Sequence, residues 1–210
     1  MRVQCFIDGY NLYHAIDDLK QPKLHWFDIR KLVQKYLRND DELTDVYFFT
    51  AKPVHLKAEA MSRHRDFLLA QRLMNDTKVI EGQFKRKYVK CNSDCGKKFR
   101  AYEEKESDVN LAVNLVGEAY RDNFDVAIVV TADSDLLSPI KYVKENFPTK
   151  SVWLLSPPKR ASKSTEMIQH VDRHLEIQPK TIRACLMNER IYVGGELQVE
   201  RPSLWARDSR

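Results

Sequence analysis

Short, unbroken apolar runs alternate along this chain with longer segments whose apolar residues recur every three or four positions. "VQCFIDGYN", "LTDVYFFTA", "VAIVVTADSDLL" and "KSVWLLSPP" are of the first kind. Each reads as a strand covered on both faces, as in a parallel sheet, and each ends in turn-forming or polar residues. "WFDIRKLVQKYL", a stretch from about Leu56 to Met74, and "ESDVNLAVNLVGEAY" with Leu111, Ala112 and Leu115 on one face are of the second kind and predict amphipathic helices. "LLSPIKYVKE" continues as a helix after the third of those strands, and "STEMIQHVDRHLEI" reads as a last helix followed by a short strand. "TKVIEGQFKRKYVKC" predicts a further strand running into a basic hairpin. Strands and helices in alternation predict a three-layer α/β sandwich with a mainly parallel central sheet, here carrying a hairpin insertion. From about Pro179 the pattern becomes irregular. Residues 1–178 are therefore assigned to one domain and 179–210 to a C-terminal appendage.

Composition narrows the class without choosing a function. The chain has 210 residues, 43% of them hydrophobic and 31% charged, as an ordinary globular protein of one domain does. No segment has the apolar length of a membrane span, and Met1 leads straight into a strand rather than a signal peptide. Four unevenly spread cysteines make no disulfide framework, which suits a reducing, cytoplasmic setting. The net charge of +5 tilts the expectation toward a polyanionic partner.

The strand ends carry the candidate chemistry. "VAIVV" stops in "TADSDLL", which holds Asp133 and Asp135 around Ser134. A helix cap accounts for one aspartate there; a second, two residues on, asks for another explanation. Asp8 closes the first strand in "FIDGYNLY", beside Gly9 and Asn11, and Asp108 sits in the first turn of a helix that also bears Asn110 and Asn114. Turn formation or capping would explain any one of these acids. Parallel sheets, however, gather such residues at the carboxyl edge of their strands, next to a switch in strand order. Crowded carboxylates repel unless a cation neutralises them, and hard oxygen donors select Mg²⁺ or Mn²⁺. Such an ion activates water and stabilises charge on a phosphoryl oxygen, which is the chemistry of phosphodiester hydrolysis.

"CFIDGYNLYHAI", "EEKESDVNLAVNLV" and "DVAIVVTADSDLLSPIKYV" resemble, in order and spacing, the three motifs of NYN domains, relatives of the PIN-like nucleases. The resemblance runs from about Val3 to Ile177, includes "RASKSTEMIQHVDRHLEI" as the last helix and strand, and extends to "RPSLW" near the C-terminus. It implies a parallel sheet flanked by helices and a metal-dependent ribonuclease acting on RNA; the basic hairpin with its aromatics favours single strands. Asp8, Asp108, Asp133 and Asp135 match the acidic site, and Asn11 matches the polar residue after the first strand. On this reading Asp8, Asp108 and Asp133 position the metal, Asp135 acts through water, and Asn11 and Asn114 hold bound water or the scissile phosphate. Where many relatives carry an acid this chain has Asn114, an amide that ligates but is no general base. The alternative is a nucleic-acid-binding or regulatory NYN module with weak or no catalysis. The family also covers unrelated roles, pyridine-ring hydroxylation among them; no glycine-rich dinucleotide fingerprint supports that role here, the chain having six glycines.

Further candidates lie outside the acids. Lys85, Arg86, Lys87, Lys97, Lys98 and Arg100, with Tyr88 and Phe99 between them, combine phosphate-binding cations with stacking aromatics. Lys159 and Arg160 follow another strand end. Cys91 and Cys95 could form half of a Zn²⁺ site, which needs two more ligands than this loop supplies. His170 and His174 stand at helical i,i+4 spacing and read as helix-surface residues. Homo-oligomerisation stays open.

Overall fold

The structure, a computed structural model, describes residues 1–54, 56–90 and 97–207, the side chain of Phe99 excepted. Seven strands form the central sheet: β1 (Arg2–Asp8), β2 (Glu42–Ala51), β3 (Lys78–Lys90), β4 (Lys98–Lys105), β5 (Val126–Val130), β6 (Ser151–Ser156) and β7 (Arg173–Glu176). They lie in the order β4-β3-β2-β1-β5-β6-β7, and every pair is parallel except β3–β4. Helices α1 (Gly9–Asp17), α2 (Ile29–Gln34) and α3 (Ala58–Asn75) occur in the first half of the chain. Helices α4 (Ser107–Tyr120), α5 (Leu137–Asn146), α6 (Thr165–Ile168) and α7 (Pro179–Arg183) follow, with a small β8–β9 hairpin (Arg190–Val193, Glu196–Glu200).

Strand alternation divides the core in two. Val3, Cys5 and Ile7 of β1 and Val126, Ile128 and Val130 of β5 belong to one cluster with Leu12 of α1, Leu32 of α2 and Phe67 of α3. Phe6, Ala127 and Val129, one residue out of step, join Leu111 and Leu115 of α4 and Ile140 of α5 in the other. All but the termini of these strands is buried, which is why they read as continuous apolar runs. The result is the expected three-layer sandwich. Gly9 is needed at its position: a Cβ there would sit 2.6 Å from the Phe49 carbonyl oxygen and from the Phe48 ring, so α1 could not approach β2 as it does.

The segment after residue 178 shares the first cluster. Ile182, Cys185, Met187, Val199 and Trp205 are buried in it, and Phe27 forms an isolated antiparallel bridge with Leu186. The Trp26 indole donates to the Asn188 carbonyl at 2.8 Å, and the Trp205 ring stacks on His25 with centroids 5.4 Å apart. Irregular backbone here goes with dense apolar packing. Two local expectations are corrected. The helix expected over "WFDIRKLVQKYL" shortens to Ile29–Gln34, because Asp28 caps it by accepting from the Lys31 N–H. Neither His170 nor His174 is on a helix: α6 ends at Ile168, His170 lies in the turn after it, and Arg173–Glu176 pairs with β6, where the Ser156 hydroxyl lies 3.0 Å from the His174 Nε2.

Candidate functional site

The chain order of the sheet reverses at β1. From there it runs outward through β2 and β3 on one side and through β5, β6 and β7 on the other. Asp8 ends β1, and the segment Thr131–Asp135 follows its neighbour β5, so both acidic motifs lie at the carboxyl side of the switch point. Asp8 caps α1, its Oδ1 accepting from the Asn11 N–H at 3.0 Å. Its Oδ2 accepts from the Thr131 hydroxyl at 3.0 Å, and that hydroxyl oxygen accepts from the Asp133 N–H at 3.0 Å. Asn11 Oδ1 accepts from the Ala132 N–H at 3.1 Å, and Asp133 Oδ1 from the Asp135 N–H at 3.0 Å. The two motifs are thus tied together by hydrogen bonds, with Thr131 as a link that the sequence pattern does not single out.

The acids feel one another. Burial pushes Asp8 up to about 6, and the charges of Asp108 and Asp133 add to that rise against the lowering hydrogen bonds from Asn11 and Thr131. Asp108, in the first turn of α4, is raised by partial desolvation and then by Asp133 and Asp135. A fourth element contributes an acid missing from the expected set. Glu104, near the end of β4, is pushed up to about 7 by burial and by Asp8 and Asp108, while the Ser107 hydroxyl donates to it and acts in the opposite sense. The signal for it was the acid run "EEKESD": strand alternation puts Glu104 and Glu103 on opposite faces of β4. Asn114 donates from its amide nitrogen to the Asn110 carbonyl at 2.8 Å, a bond within α4.

Hard oxygen donors from three elements, with Asp8 and Asp108 biased against their charged forms by burial and by neighbouring carboxylates, are a donor set that fits Mg²⁺ or Mn²⁺. Among the described residues no three Asp, Glu, His or Cys side chains are drawn in as a ligating group, so the acids share an edge and a field rather than a formed cage. Cys91 and Cys95 lie outside the described residues.

The hairpin sorts its cations by face. Cross-strand pairs Phe84–Glu104, Arg86–Tyr102 and Tyr88–Arg100 occupy one face, and Lys90–Lys98 continues it toward the tip. The Arg86 guanidinium lies 5.9 Å from the Tyr88 ring centre. Lys85 and Lys87 belong to the opposite face, where Lys87 pairs with Glu103 at 3.0 Å. Lys97 is exposed beside β4, Lys159 is exposed after β6, and Arg160 is paired with Asp18. The Arg/Tyr face begins at Glu104 and therefore at the acidic edge.

Against known proteins, the NYN domain pattern matches residues 2–178. The chain belongs to the NYN domain family. A relative from Pseudomonas putida, named 6-hydroxy-3-succinoylpyridine 3-monooxygenase HspA, is 25% identical over 240 aligned positions, covering 98% of this chain and 75% of its own. The crystal structure of a protein of unknown function from Vibrio parahaemolyticus superposes with a TM-score of 0.58 at 16% identity, over 89% of this chain and 96% of that one. That likeness concerns the fold. NYN membership brings with it the PIN-like architecture seen here, and no helix among the described residues is long and apolar enough to cross a membrane.

Proposed function

We propose that this NYN protein is a divalent-metal-dependent ribonuclease that cuts single-stranded RNA at the acidic edge. The observation that carries the reading is the gathering of acids at the switch point, where Asp108 and Asp133 act on buried Asp8 and where Asp133 and Asp135 act on Asp108, next to a further acid, Glu104, on the Arg/Tyr-bearing hairpin. Asp8, Asp108 and Asp133 would hold the Mg²⁺ or Mn²⁺, with Asp135 reached through water. Such an ion, when bound, lowers the pKa of water and stabilises phosphoryl charge. The chain's own residues do the rest. Thr131 and Asn11 fix the Asp8 carboxylate between β1 and β5, while Arg86 and Arg100 give the RNA backbone its counter-charge. Glu104, titrating near neutrality, is the group that can take a proton from the attacking water and return one to the leaving oxygen.

Incubating the purified protein with single-stranded RNA in Mn²⁺, in Mg²⁺ and in EDTA tests this. Cleavage in at least one metal and none in EDTA is expected. RNA bound but uncut in all three would favour a binding module, a reading on whose side Asn114 stands, its amide nitrogen turned to the Asn110 carbonyl. The name of the Pseudomonas relative makes oxygenation of a substituted hydroxypyridine the rival chemistry, with an aromatic cleft beside α1 as the feature on its side. Turnover of that compound without RNA cleavage would replace the ribonuclease reading.

A further inference from the structure

A cleft of about 350 Å³ opens beside α1, on the side of the sheet where the C-terminal segment packs. It is partly open to solvent, and its walls are mostly apolar and aromatic. It falls within the range of about 300–1,000 Å³ typical of small-molecule sites, which are mostly aromatic and apolar with a few polar groups. Phe48, Phe67 and Trp205 line it and are buried, whereas Tyr13 and Tyr102 line it and are 44% and 41% exposed. Ring centroids of Tyr13 and His25 lie 4.7 Å apart, and His25 in turn stacks on Trp205.

Its polar lining is sparse and selective. Thr50 and His25 are buried, no carboxylate lines the cleft, and Arg63 is its one permanent charge among the described residues. Burial holds His25 and His64 below the ordinary histidine range, against the opposing pull of Asp17, 3.4 Å from His25, and of Glu81 on His64. With that single permanent charge and many ring faces, the lining suits flat rings with polar edges.

The cleft also adjoins the acidic edge. Gly9 and Tyr10, which line it, directly follow Asp8, and Tyr10 meets Phe84 edge-on with centroids 5.4 Å apart. Phe84 is the cross-strand partner of Glu104, whose charge reaches Tyr10. One wall of the cleft is therefore the base of the Arg/Tyr face.

We propose that this cleft is a binding site for one neutral, planar nitrogen heteroaromatic ring, held among Tyr13, His25, Phe67 and Trp205. The ring is either a nucleobase of a strand lying along the hairpin or a free heteroaromatic molecule; the stacking chemistry is the same. The site does not depend on cleavage, so its test is run in EDTA.

Calorimetric titration of the full chain with uridine 5′-monophosphate and with 2-hydroxypyridine is the first measurement. At least one probe binds at millimolar concentration or below, and Ala60→Phe, which fills the cleft from α3, weakens that probe by roughly tenfold or more. Tyr13→Ala, at a half-open position, does the same and decides the matter if the Ala60 variant fails to melt cooperatively. A second arm compares single-stranded RNA with the same strand carrying abasic positions. An affinity loss on removing bases that is larger in wild type than in Ala60→Phe assigns the ring to RNA. Binding of 2-hydroxypyridine together with the same base-removal loss in both proteins assigns it to a free molecule. If neither probe binds at about 10 mM, or if the probes bind all variants equally, the cleft is not a ring site.

Discussion

The acidic edge and the hairpin face present opposite signs of charge by opposite means. Asp8 is 7% exposed and held by two hydrogen bonds, at the end of a strand buried between two layers. Its position is fixed by the sheet, and the fold bears the electrostatic cost of crowding it against Asp108 and Asp133. Arg86, Tyr88 and Arg100 stand in solvent on a two-stranded ribbon beyond the sheet, with Tyr88 60% exposed. There a charge costs almost nothing to hold and does little until a polyanion arrives. Chemistry needs the first kind of placement, since reacting groups must be positioned before substrate binds. Tracking a flexible strand needs only the second.

The largest effect that could break this division lies at the edge. Asp133→Asn removes one charge from the acids while keeping an oxygen to accept the Asp135 N–H. Cleavage should fall by a factor on the order of 100 or more, as loss of a ligand to a catalytic cation costs several kcal/mol. RNA affinity in EDTA should stay level or rise, because the hairpin is untouched and one repulsive charge is gone. A variant that cleaves at the wild-type rate would remove the edge from the chemistry and leave the hairpin's part in RNA binding standing without it.

These two regions were unequally legible in the sequence. The sheet and both acidic motifs could be read because a buried parallel strand declares itself as an apolar run and its end as a break in that run. Thr131 and Glu104 were harder. Thr131 looks like one more strand residue until its hydroxyl is seen bridging Asp8 and the Asp133 N–H. Glu104 sits among other acids, and only the register Phe84–Glu104 puts it on the same face as Arg86. That register also splits Lys85 and Lys87 from Arg86, three residues that composition alone groups together. The segment after Pro179 looked peripheral because its elements are short. Its apolar residues are spaced by contact with Trp26 and Phe67 rather than by a helical or strand period, and such spacing has no one-dimensional signature.

A second prediction measures what the edge costs the fold. The folded state raises Asp8 from 3.8 to about 6, so it favours the protonated carboxyl. The contribution is fully present below pH 3.8 and is lost as pH rises through about 6. At about 1.4 kcal/mol per pH unit the loss is about 3 kcal/mol, and Glu104 moves in the same direction over a slightly higher window. Urea unfolding of the metal-free protein should therefore show stability falling between pH 4 and pH 7. In Asp8→Asn, which keeps an oxygen for the Asn11 N–H but does not titrate, the fall should be shallower. Mn²⁺ should restore stability to the wild type at pH 7 and do less for the variant. Equal slopes in the two proteins would mean that Asp8 carries no such strain.

The smallest effect tests whether the hairpin acts by face or by total charge. Two double variants remove the same formal charge: Arg86→Gln with Arg100→Gln on the face that begins at Glu104, and Lys85→Gln with Lys87→Gln on the other. Binding of single-stranded RNA in EDTA, followed across salt concentrations, gives the number of phosphates each pair neutralises. Each phosphate deprived of its cation should reduce the slope of log K against log salt by roughly 0.7. The arginine substitutions should flatten the slope by about twice that amount. The lysine substitutions should flatten it less, because Lys87 is already paired with Glu103, on the face opposite Glu104. Tyr88→Ala should lower affinity by about 1 kcal/mol with the slope unchanged, since stacking releases no counterions. Identical slopes for the two double variants would mean that the hairpin draws RNA by net charge alone, and the path from its tip to Glu104 would then have no directing role.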